Sequence, residues 1–272
     1  MNPTPSSGSL VVVGVGLKLV GQVTLEAQAF IQQAEKVLYL VANDSVAHWI
    51  QTLNATAESL NSFYAPDKLR ALTYREIADH ILDHVRQGLQ VCVAIDGHPG
   101  LLVTSAHAAI RQARREGFRA WLTPGISTEA CLFADLGFDP GRRGWQNFEA
   151  TNFLLYRRQV DITCHVILWQ LGAVGMLYGA GDISTGLRVL TEVLVEVYGP
   201  EHEVVIYEAS PYPMLEPVIE RIALGRLPAA RVTPIATLYI PPKARAELDP
   251  AMLKRLGIDV SQILGQESVE VS

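Results

Sequence analysis

The sequence of 272 residues predicts an α/β protein built from two lobes, and three observations carry this prediction. Short apolar stretches alternate with amphipathic helical patterns over the first 123 residues. Those apolar stretches are nearly continuous, which is typical of parallel strands covered on both faces. After about Pro124 the alternation changes, and the strand patterns favour a second α/β lobe with more antiparallel pairing.

The first lobe is expected over residues 8–123. Its buried strands are predicted at 10–13, 37–42 and 89–95. A long helix is predicted over 66–87, because apolar side chains recur there with a spacing of four and Gly88 supplies a stop. Another helix is predicted over 101–116, ending at Gly117.

The second lobe is expected over residues 124–242, with strands at 165–170, 203–209 and 232–242 and a helix at 185–198. Residues 1–7 are expected to form a disordered tail. Residues 243–272 are expected to form a short helix followed by a loose tail.

Composition limits the class of protein. A net charge of −6 with a pI near 5.7 argues against nucleic acid as the main partner, because phosphate binding needs a basic surface. The sequence has neither a basic secretory signal nor an apolar stretch of about 20 residues, so we expect no membrane span and a cytoplasmic protein. Its three widely spaced cysteines are expected to be buried free thiols.

The segment "DGHPG" after the strand at 89–95 is the first candidate ligand loop. Ligands of open α/β sheets bind beyond the carboxyl ends of the strands. Gly97 and Gly100 would let a ligand approach the backbone closely, although a plain strand-to-helix turn explains the segment equally well. The earlier "GVGL" lacks the third glycine of a dinucleotide-binding loop, since Leu19 stands there, and a tight turn is the favoured interpretation.

His80 and His84 are spaced i, i+4 on the predicted helix, as in a metal-binding pair. No third ligand is evident near them in the sequence, and a solvated helix face is the favoured interpretation. We therefore predict no metal site.

Four motifs taken together are more specific than any one of them. The strand followed by GxG, then "GHPG", "PGIS" and "PIATL", occur in an order that resembles the tetrapyrrole methylase superfamily of S-adenosylmethionine-dependent methyltransferases. The resemblance covers about Gly8 to Pro242. The segments "SFYAPDKLRALTYREIADHILDHVR", "FEATNF" and "EVVIYEAS" are similar to the borosin α-N-methyltransferases, which methylate backbone amides of a precursor peptide.

This resemblance implies that S-adenosylmethionine is folded into the cleft between the lobes and leaves as S-adenosylhomocysteine. It also implies a homodimer in which each protomer helps to enclose the other's peptide. The donor contacts would be Asp96, His98, Leu101, Ser127, Thr128, Gln170, Ala209, Ala236 and Thr237. The proton-handling group would be Tyr64, Arg70 and Tyr74.

The sequence departs from this family's pattern at two positions and at its end. Asn61 stands where fused members carry a tyrosine, and Asp96 stands where relatives tend to carry one. The end "GQESVEVS" is acidic and unlike an apolar core peptide, so we expect a separate precursor peptide, with a heterotetramer of two enzyme and two precursor chains as one form. The alternatives are methylation of a tetrapyrrole or other small acceptor, and a non-catalytic module that binds donor or peptide.

The chemistry explains why such residues are needed. An amide nitrogen is a poor nucleophile, because its lone pair is delocalised into the carbonyl group. Tyr64 is assigned the role of base, Arg70 that of orienting it and polarising the amide, and Tyr74 that of completing the hydrogen-bond network. A nearby cation lowers the pKa of a phenol, and residues spaced i, i+4 share a helix face. The alternative is a solvated Arg70–Tyr74 pair worth only about 0.3–0.5 kcal/mol.

Overall fold

The computed structural model describes residues 8–261, so the predicted tail at 1–7 and the end of the 243–272 segment lie outside the described residues. The first half of the chain forms a five-stranded sheet in the order β3-β2-β4-β1-β5, and every neighbouring pair in it is parallel. Its strands are β1 (Ser9–Gly14), β2 (Lys36–Leu40), β3 (Glu58–Ser59), β4 (Gln90–Ile95) and β5 (Arg119–Leu122).

The second sheet has the order β6-β7-β10-β8-β9. Its strands are β6 (Trp145–Glu149), β7 (His165–Trp169), β8 (Glu203–Glu208), β9 (Val218–Ala223) and β10 (Thr237–Ile240). The pair β6–β7 is parallel, whereas β10 runs antiparallel to both β7 and β8, and β9 runs antiparallel to β8. The predicted α/β class is confirmed, including the more antiparallel second sheet.

Helices connect the strands of both sheets. They are α1 (Leu25–Gln33), α2 (Asp44–Leu53), α3 (Arg70–Arg86), α4 (Thr104–Arg115), α5 (Thr128–Leu136), α6 (Pro140–Arg143), α7 (Ala150–Leu155), α8 (Ser184–Tyr198) and α9 (Pro250–Leu256). Short 3₁₀ turns lie at Asn61–Phe63, Leu171–Ala173 and Leu224–Ala229.

The first sheet is covered on both faces, which is why its strands are apolar throughout. Alternate residues of β1, such as Leu10 and Val12, pack against α3 and α4. Val11 and Val13 point to the opposite face and pack with Ile31 of α1 and other residues of α1 and α2.

The helix predicted over 66–87 begins at Arg70 instead. Residues 66–69 are held outside the helix because the carbonyls of Pro66 and Lys68 accept hydrogen bonds from the backbone N–H groups of Ala180 and Gly179. Those carbonyls are therefore paired with another segment and not with the helix.

Two other predicted elements are shorter than expected. The helix predicted over 101–116 begins at Thr104, because Leu102 has a left-handed backbone with φ of 59°. The strand predicted over 232–242 is limited to Thr237–Ile240, because Ala236 N–H donates to the carbonyl of Thr233 and closes a turn before it.

No helix in residues 8–261 has the length and apolar character needed to cross a membrane. Cys92 and Cys131 are buried and Cys164 is half-buried, and all three thiols are free.

Candidate active site

The loops that follow β1, β4 and β5 meet at the carboxyl edge of the first sheet with almost no side chain between them. A Cβ atom on Gly14 would lie 2.2 Å from the carbonyl oxygen of Gly97, and one on Gly125 would lie 3.1 Å from the same oxygen. Gly97 also has a φ of +68° and forms a bridge with Gly16. Glycine is required here because the backbone of one loop packs directly against the backbone of the next, with the Pro99 side chain nearby.

Asp96, His98 and Leu101 lie in the loop after β4. The Asp96 Oδ2 atom accepts a hydrogen bond of 2.7 Å from the backbone N–H of Ala42. Burial raises the pKa of Asp96 to about 6, so the carboxyl group is still mainly ionised at pH 7. The His98 Nδ1 atom accepts from Gly100 N–H at 3.0 Å, and Leu101 N–H donates to the His98 carbonyl. The loop is therefore ordered by its own contacts and places a negative charge at the edge of the sheet.

Ser127 and Thr128 lie at the start of α5, after β5. The Ser127 hydroxyl accepts a hydrogen bond from Ala130 N–H and caps the helix, and Thr128 is its first residue. Thr123, directly after β5, has a buried hydroxyl oxygen with no hydrogen-bond partner within residues 8–261. Sequence reasoning missed Thr123, although its position at the end of a strand was a signal for it.

Gln170, Ala209, Ala236 and Thr237 lie at one edge of the second sheet. Gln170 follows β7 and Ala209 follows β8, whereas Ala236 and Thr237 lie at the start of β10, which runs in the opposite direction. Gln170 has a left-handed backbone with φ of 57°. A non-glycine residue in this conformation is strained, and such strain is concentrated at functional sites.

The two edges meet where the lobes touch. Leu19 N–H donates to the Pro211 carbonyl at 2.9 Å, and Tyr212 O–H lies 3.5 Å from the Asn43 Oδ1 atom. Leu17, in the loop after β1, packs against the apolar cluster on the second sheet. The structure therefore places the nine residues predicted to contact the donor at edges of the two sheets, and the loops after β1, β2 and β8 are in contact there.

Tyr64, Arg70 and Tyr74 come within electrostatic reach of one another. Burial raises the pKa of Tyr64, Tyr74 raises it further, and the positive charge of Arg70 acts in the opposite direction. The net direction is opposite to the lowering expected from Arg70, because burial outweighs the guanidinium. Tyr64, whose side chain is 37% exposed, is therefore a neutral phenol at pH 7.

Tyr74 has a second environment, since it lines a groove of about 520 Å³ between α3 and α4. Arg75 and Asp79 of the same helix and Arg115 of α4 line this groove as well. Tyr74 thus acts on Tyr64 electrostatically and also lines this groove.

A loop from the second lobe fixes the start of α3. This loop comprises residues 177–180. The Gly179 N–H donates a hydrogen bond of 3.1 Å to the Lys68 carbonyl, and the Arg70 N–H donates one of 3.0 Å to the Leu177 carbonyl. A Cβ atom on Gly179 would lie 2.2 Å from the Ala65 carbonyl oxygen, so the loop packs directly on the segment after Tyr64. Sequence reasoning missed this loop, because its partners are distant in the chain.

Asn61, the position where a tyrosine is absent, has a structural contact. Its side-chain N–H donates to the Val41 carbonyl at 2.8 Å and anchors the 3₁₀ turn that precedes Tyr64 to the end of β2.

Known proteins resemble this chain in fold and in sequence. A family model for Tetrapyrrole (Corrin/Porphyrin) Methylases matches residues 9–221. Uroporphyrin-III-C-methyltransferase from Thermus thermophilus has a TM-score of 0.63 at 18% identity, with 87% of this chain and 93% of that chain covered, which shows a shared fold. The chain belongs to the tetrapyrrole methylase family.

Within that family, two fungal relatives confirm the resemblance to the borosin proteins. The chain is 39% identical over 255 residues to the methyltransferase/ribosomally synthesized cyclic peptide dendrothelin A precursor of Dendrothele bispora. The matched region covers 92% of this chain and 61% of that protein. It is 37% identical over 266 residues to a methyltransferase/ribosomally synthesized type I borosin cyclic peptide precursor of Coprinopsis marcescibilis. Here the matched region covers 93% of this chain and 68% of that protein. The chain thus spans about three fifths of the length of the first of these relatives.

Proposed function

We propose that this chain uses S-adenosylmethionine to methylate backbone amide nitrogens of a peptide that resides on a separate polypeptide. The observation that carries the proposal is the 177–180 loop, which continues from the strained Gln170 at the donor edge and holds Arg70 at the start of α3. One short segment thereby couples the expected donor site to the expected proton-handling group.

The residues at the two edges fit the donor. Gly14, Gly97 and Gly125 pack the three loops closely at this edge, so the polar groups that the loops carry are held near one another. The ionised Asp96 suits the amino group or ribose hydroxyls of the donor. The Thr123 hydroxyl, which has no hydrogen-bond partner among residues 8–261, is suited to make a further polar contact at the same edge. When bound, S-adenosylmethionine supplies an activated methyl group on a sulfonium centre.

The residues around Tyr64 address the difficulty of the acceptor. An amide nitrogen becomes nucleophilic when its N–H proton is removed and negative charge collects on the carbonyl oxygen. Arg70 is suited to stabilise that oxygen, because a guanidinium is always charged and its backbone is fixed by Leu177. Tyr64 accepts the amide proton once it is ionised, Arg70 orients it, and Tyr74 completes the hydrogen-bond network.

The raised pKa of Tyr64 imposes a condition on this role. In the free chain the phenol holds its proton, so it works as a base only for the small ionised fraction or after further positive charge has lowered its pKa. The favourable charge already present is that of Arg70. This is the reason that we assign Arg70 to both tasks, tuning Tyr64 and stabilising the oxyanion.

The surface around this group supports a protein partner. Large apolar side chains are exposed on both sides of Arg70, namely those of Leu69, Leu72, Leu177 and Tyr178. Contiguous apolar surface of this kind is typical of an interaction site. We assign it to a homodimer that encloses the peptide, with a heterotetramer of two enzyme and two precursor chains as the assembled form.

The test is mass spectrometry of a candidate precursor peptide after incubation with the purified chain and S-adenosylmethionine. The expected product carries mass increments of one methyl group each, which fragmentation localises to backbone nitrogens. Arg70→Ala should abolish the product and retain donor binding, whereas Arg75→Ala, an exposed arginine of the same helix, should retain both.

The raised pKa of Tyr64 also favours a second candidate, a non-catalytic module that binds donor or peptide. Tight donor binding and peptide copurification without methylation would establish it. Methylation of a tetrapyrrole or another small acceptor in the same assay, with the peptide unmodified, would instead assign the chain to small-molecule chemistry.

A further inference from the structure

A cluster of three metal-ligating side chains lies outside the proposed active site, beside the edge strand β3. Glu58, His80 and His84 each offer one ligand atom, and these atoms lie within 4.8 Å of one another. The His80 Nε2 atom is 3.0 Å from the Glu58 Oε1 atom. The rings of His80 and His84 are 5.0 Å apart, with an interplanar angle of 84°. The structure thus supplies the third ligand that was not evident in the sequence.

His84 is the member of the cluster that most requires a partner. Both of its ring nitrogens are buried, and neither has a hydrogen-bond partner in the described part of the chain. A buried polar group without a partner is costly, so such groups in native proteins call for an explanation. The predicted solvated helix face is therefore wrong for His84.

We propose that Glu58, His80 and His84 bind a divalent transition-metal ion of the Zn²⁺ type, with water completing the coordination. Two imidazoles and one carboxylate are a known catalytic-type ligand set for zinc, and nitrogen ligands disfavour Ca²⁺ and Mg²⁺. The side chains of His80 and Glu58 are 28% and 43% exposed, so an ion and its water can enter from the solvent side.

The positive charge of Lys36 lies next to the proposed site and disfavours binding of a cation there. Its Nζ atom donates a hydrogen bond of 2.5 Å to the Glu58 Oε2 atom. The ammonium group repels a cation, yet the same contact fixes the carboxylate and leaves Oε1 directed to the histidines. A contact of this kind orients a metal-binding carboxylate. We therefore expect the site to bind more weakly than a closed cysteine-rich zinc site.

The position of the ion gives it a structural consequence. Glu58 precedes the 3₁₀ turn at Asn61–Phe63 that leads to Tyr64, and His80 follows Tyr74 on α3. The Phe63 ring also lies 5.2 Å from the His80 ring. A bound ion would tie together the two segments that carry the tyrosines of the proton-handling group. This consequence rests on the proposed function, whereas metal binding itself does not.

The experiment uses the full chain without a polyhistidine tag, stripped of metal by a chelator. Zn²⁺ is titrated by calorimetry, Co²⁺ is followed by its visible absorption, and Tm is measured with and without Zn²⁺. We expect about one ion per chain. At a free Zn²⁺ concentration of about one hundred times Kd, linkage predicts a rise in Tm of about 5 °C.

Matched variants separate this site from adventitious binding. His84→Phe replaces the imidazole with a somewhat larger apolar ring at a half-buried position and removes both ring nitrogens. It should fold and keep about the native Tm without metal while losing the Zn²⁺-dependent rise. Glu58→Gln should weaken Zn²⁺ binding at least about tenfold. His48→Ala, which removes an exposed histidine of α2, should bind Zn²⁺ as the native chain does.

Two outcomes overturn the proposal: absence of stoichiometric Zn²⁺ binding by the native chain, and retention of native binding by His84→Phe. The peptide methylation assay is read separately with and without Zn²⁺. Zn²⁺ binding without methylation in either state counts against the proposed function and leaves the metal site standing. Methylation by a native chain that does not bind Zn²⁺ counts against the metal site and leaves the proposed function standing.

Discussion

Gly179→Ala is the substitution that tests how Arg70 is held. The new Cβ would lie 2.2 Å from the Ala65 carbonyl oxygen, a distance that forces the backbone of the 177–180 loop to move. That loop makes three backbone hydrogen bonds to residues 66–70, with Pro66, Lys68 and Arg70. The substitution therefore acts on the position of Arg70 without changing any side chain of the proposed site.

The magnitude follows from these contacts. Three hydrogen bonds at about 1 kcal/mol each set an upper limit of about 3 kcal/mol, and overpacking of this kind typically costs about 1–3 kcal/mol. For a chain of this size the expected fall in Tm is about 2–5 °C. Displacement of a catalytic group by about 1 Å lowers the rate by about 10²-fold, so we expect kcat to fall by about 10–100-fold.

The assay is peptide methylation under saturating donor, together with donor affinity and Tm. Gly181→Ala is the matched control, because a Cβ there would meet only the Met176 side chain, at 3.7 Å or more. It should leave kcat and Tm almost unchanged. If Gly179→Ala matches Gly181→Ala in kcat, the loop does not position Arg70, and the argument that couples the donor edge to the proton-handling group fails.

Three further predictions concern single residues. The pKa of Tyr64 is raised and a base must be ionised, so kcat should keep rising with pH above 7. Tyr64→Phe should remove both this rise and most of the activity. A native pH profile that is flat above pH 7 would contradict the role of Tyr64 as base. For Asp96, the folded pKa of about 6 exceeds the unfolded 3.8, so folding is disfavoured as pH rises through this window. Asp96→Asn should therefore raise stability at pH 7 by up to about 3 kcal/mol, lose that gain below about pH 4, and weaken donor binding; unfolding in denaturant at both pH values measures it. Gln170→Gly should relieve about 1 kcal/mol of left-handed backbone strain and raise Tm. The affinity for S-adenosylmethionine, measured by calorimetry, should fall. An unchanged affinity would exclude Gln170 from the donor site.

The sequence alone predicted where three motif loops lie relative to the strands. "DGHPG", "PGIS" and "PIATL" each lie at the end or start of a buried strand, and parallel strands bring their carboxyl ends to one edge of a sheet. The apolar strands and the order of the motifs therefore determined the α/β class, the family and the side of each sheet where the predicted residues lie. These features are local patterns combined with a general rule of sheet topology.

Sequence reasoning was less reliable for the start of α3 and for ionisation. Propensity and a proline suggested a helix from residue 66, but backbone groups of a distant loop occupy the carbonyls that the helix would have used. Arg70 was expected to lower the pKa of Tyr64, but the partial burial of Tyr64 in the folded chain has the larger effect.

The histidine pair shows the same division. Its i, i+4 spacing was evident from the sequence, and so was its place on a helix. Glu58 became the third member only when folding brought β3 close to α3, and the ring nitrogens of His84 are buried only in the folded chain. The sequence by itself determined the fold, the family and the chemical types of the residues at the site. The tertiary structure decided which of them share a charge environment, because desolvation and contact between distant segments exist only once the chain has packed.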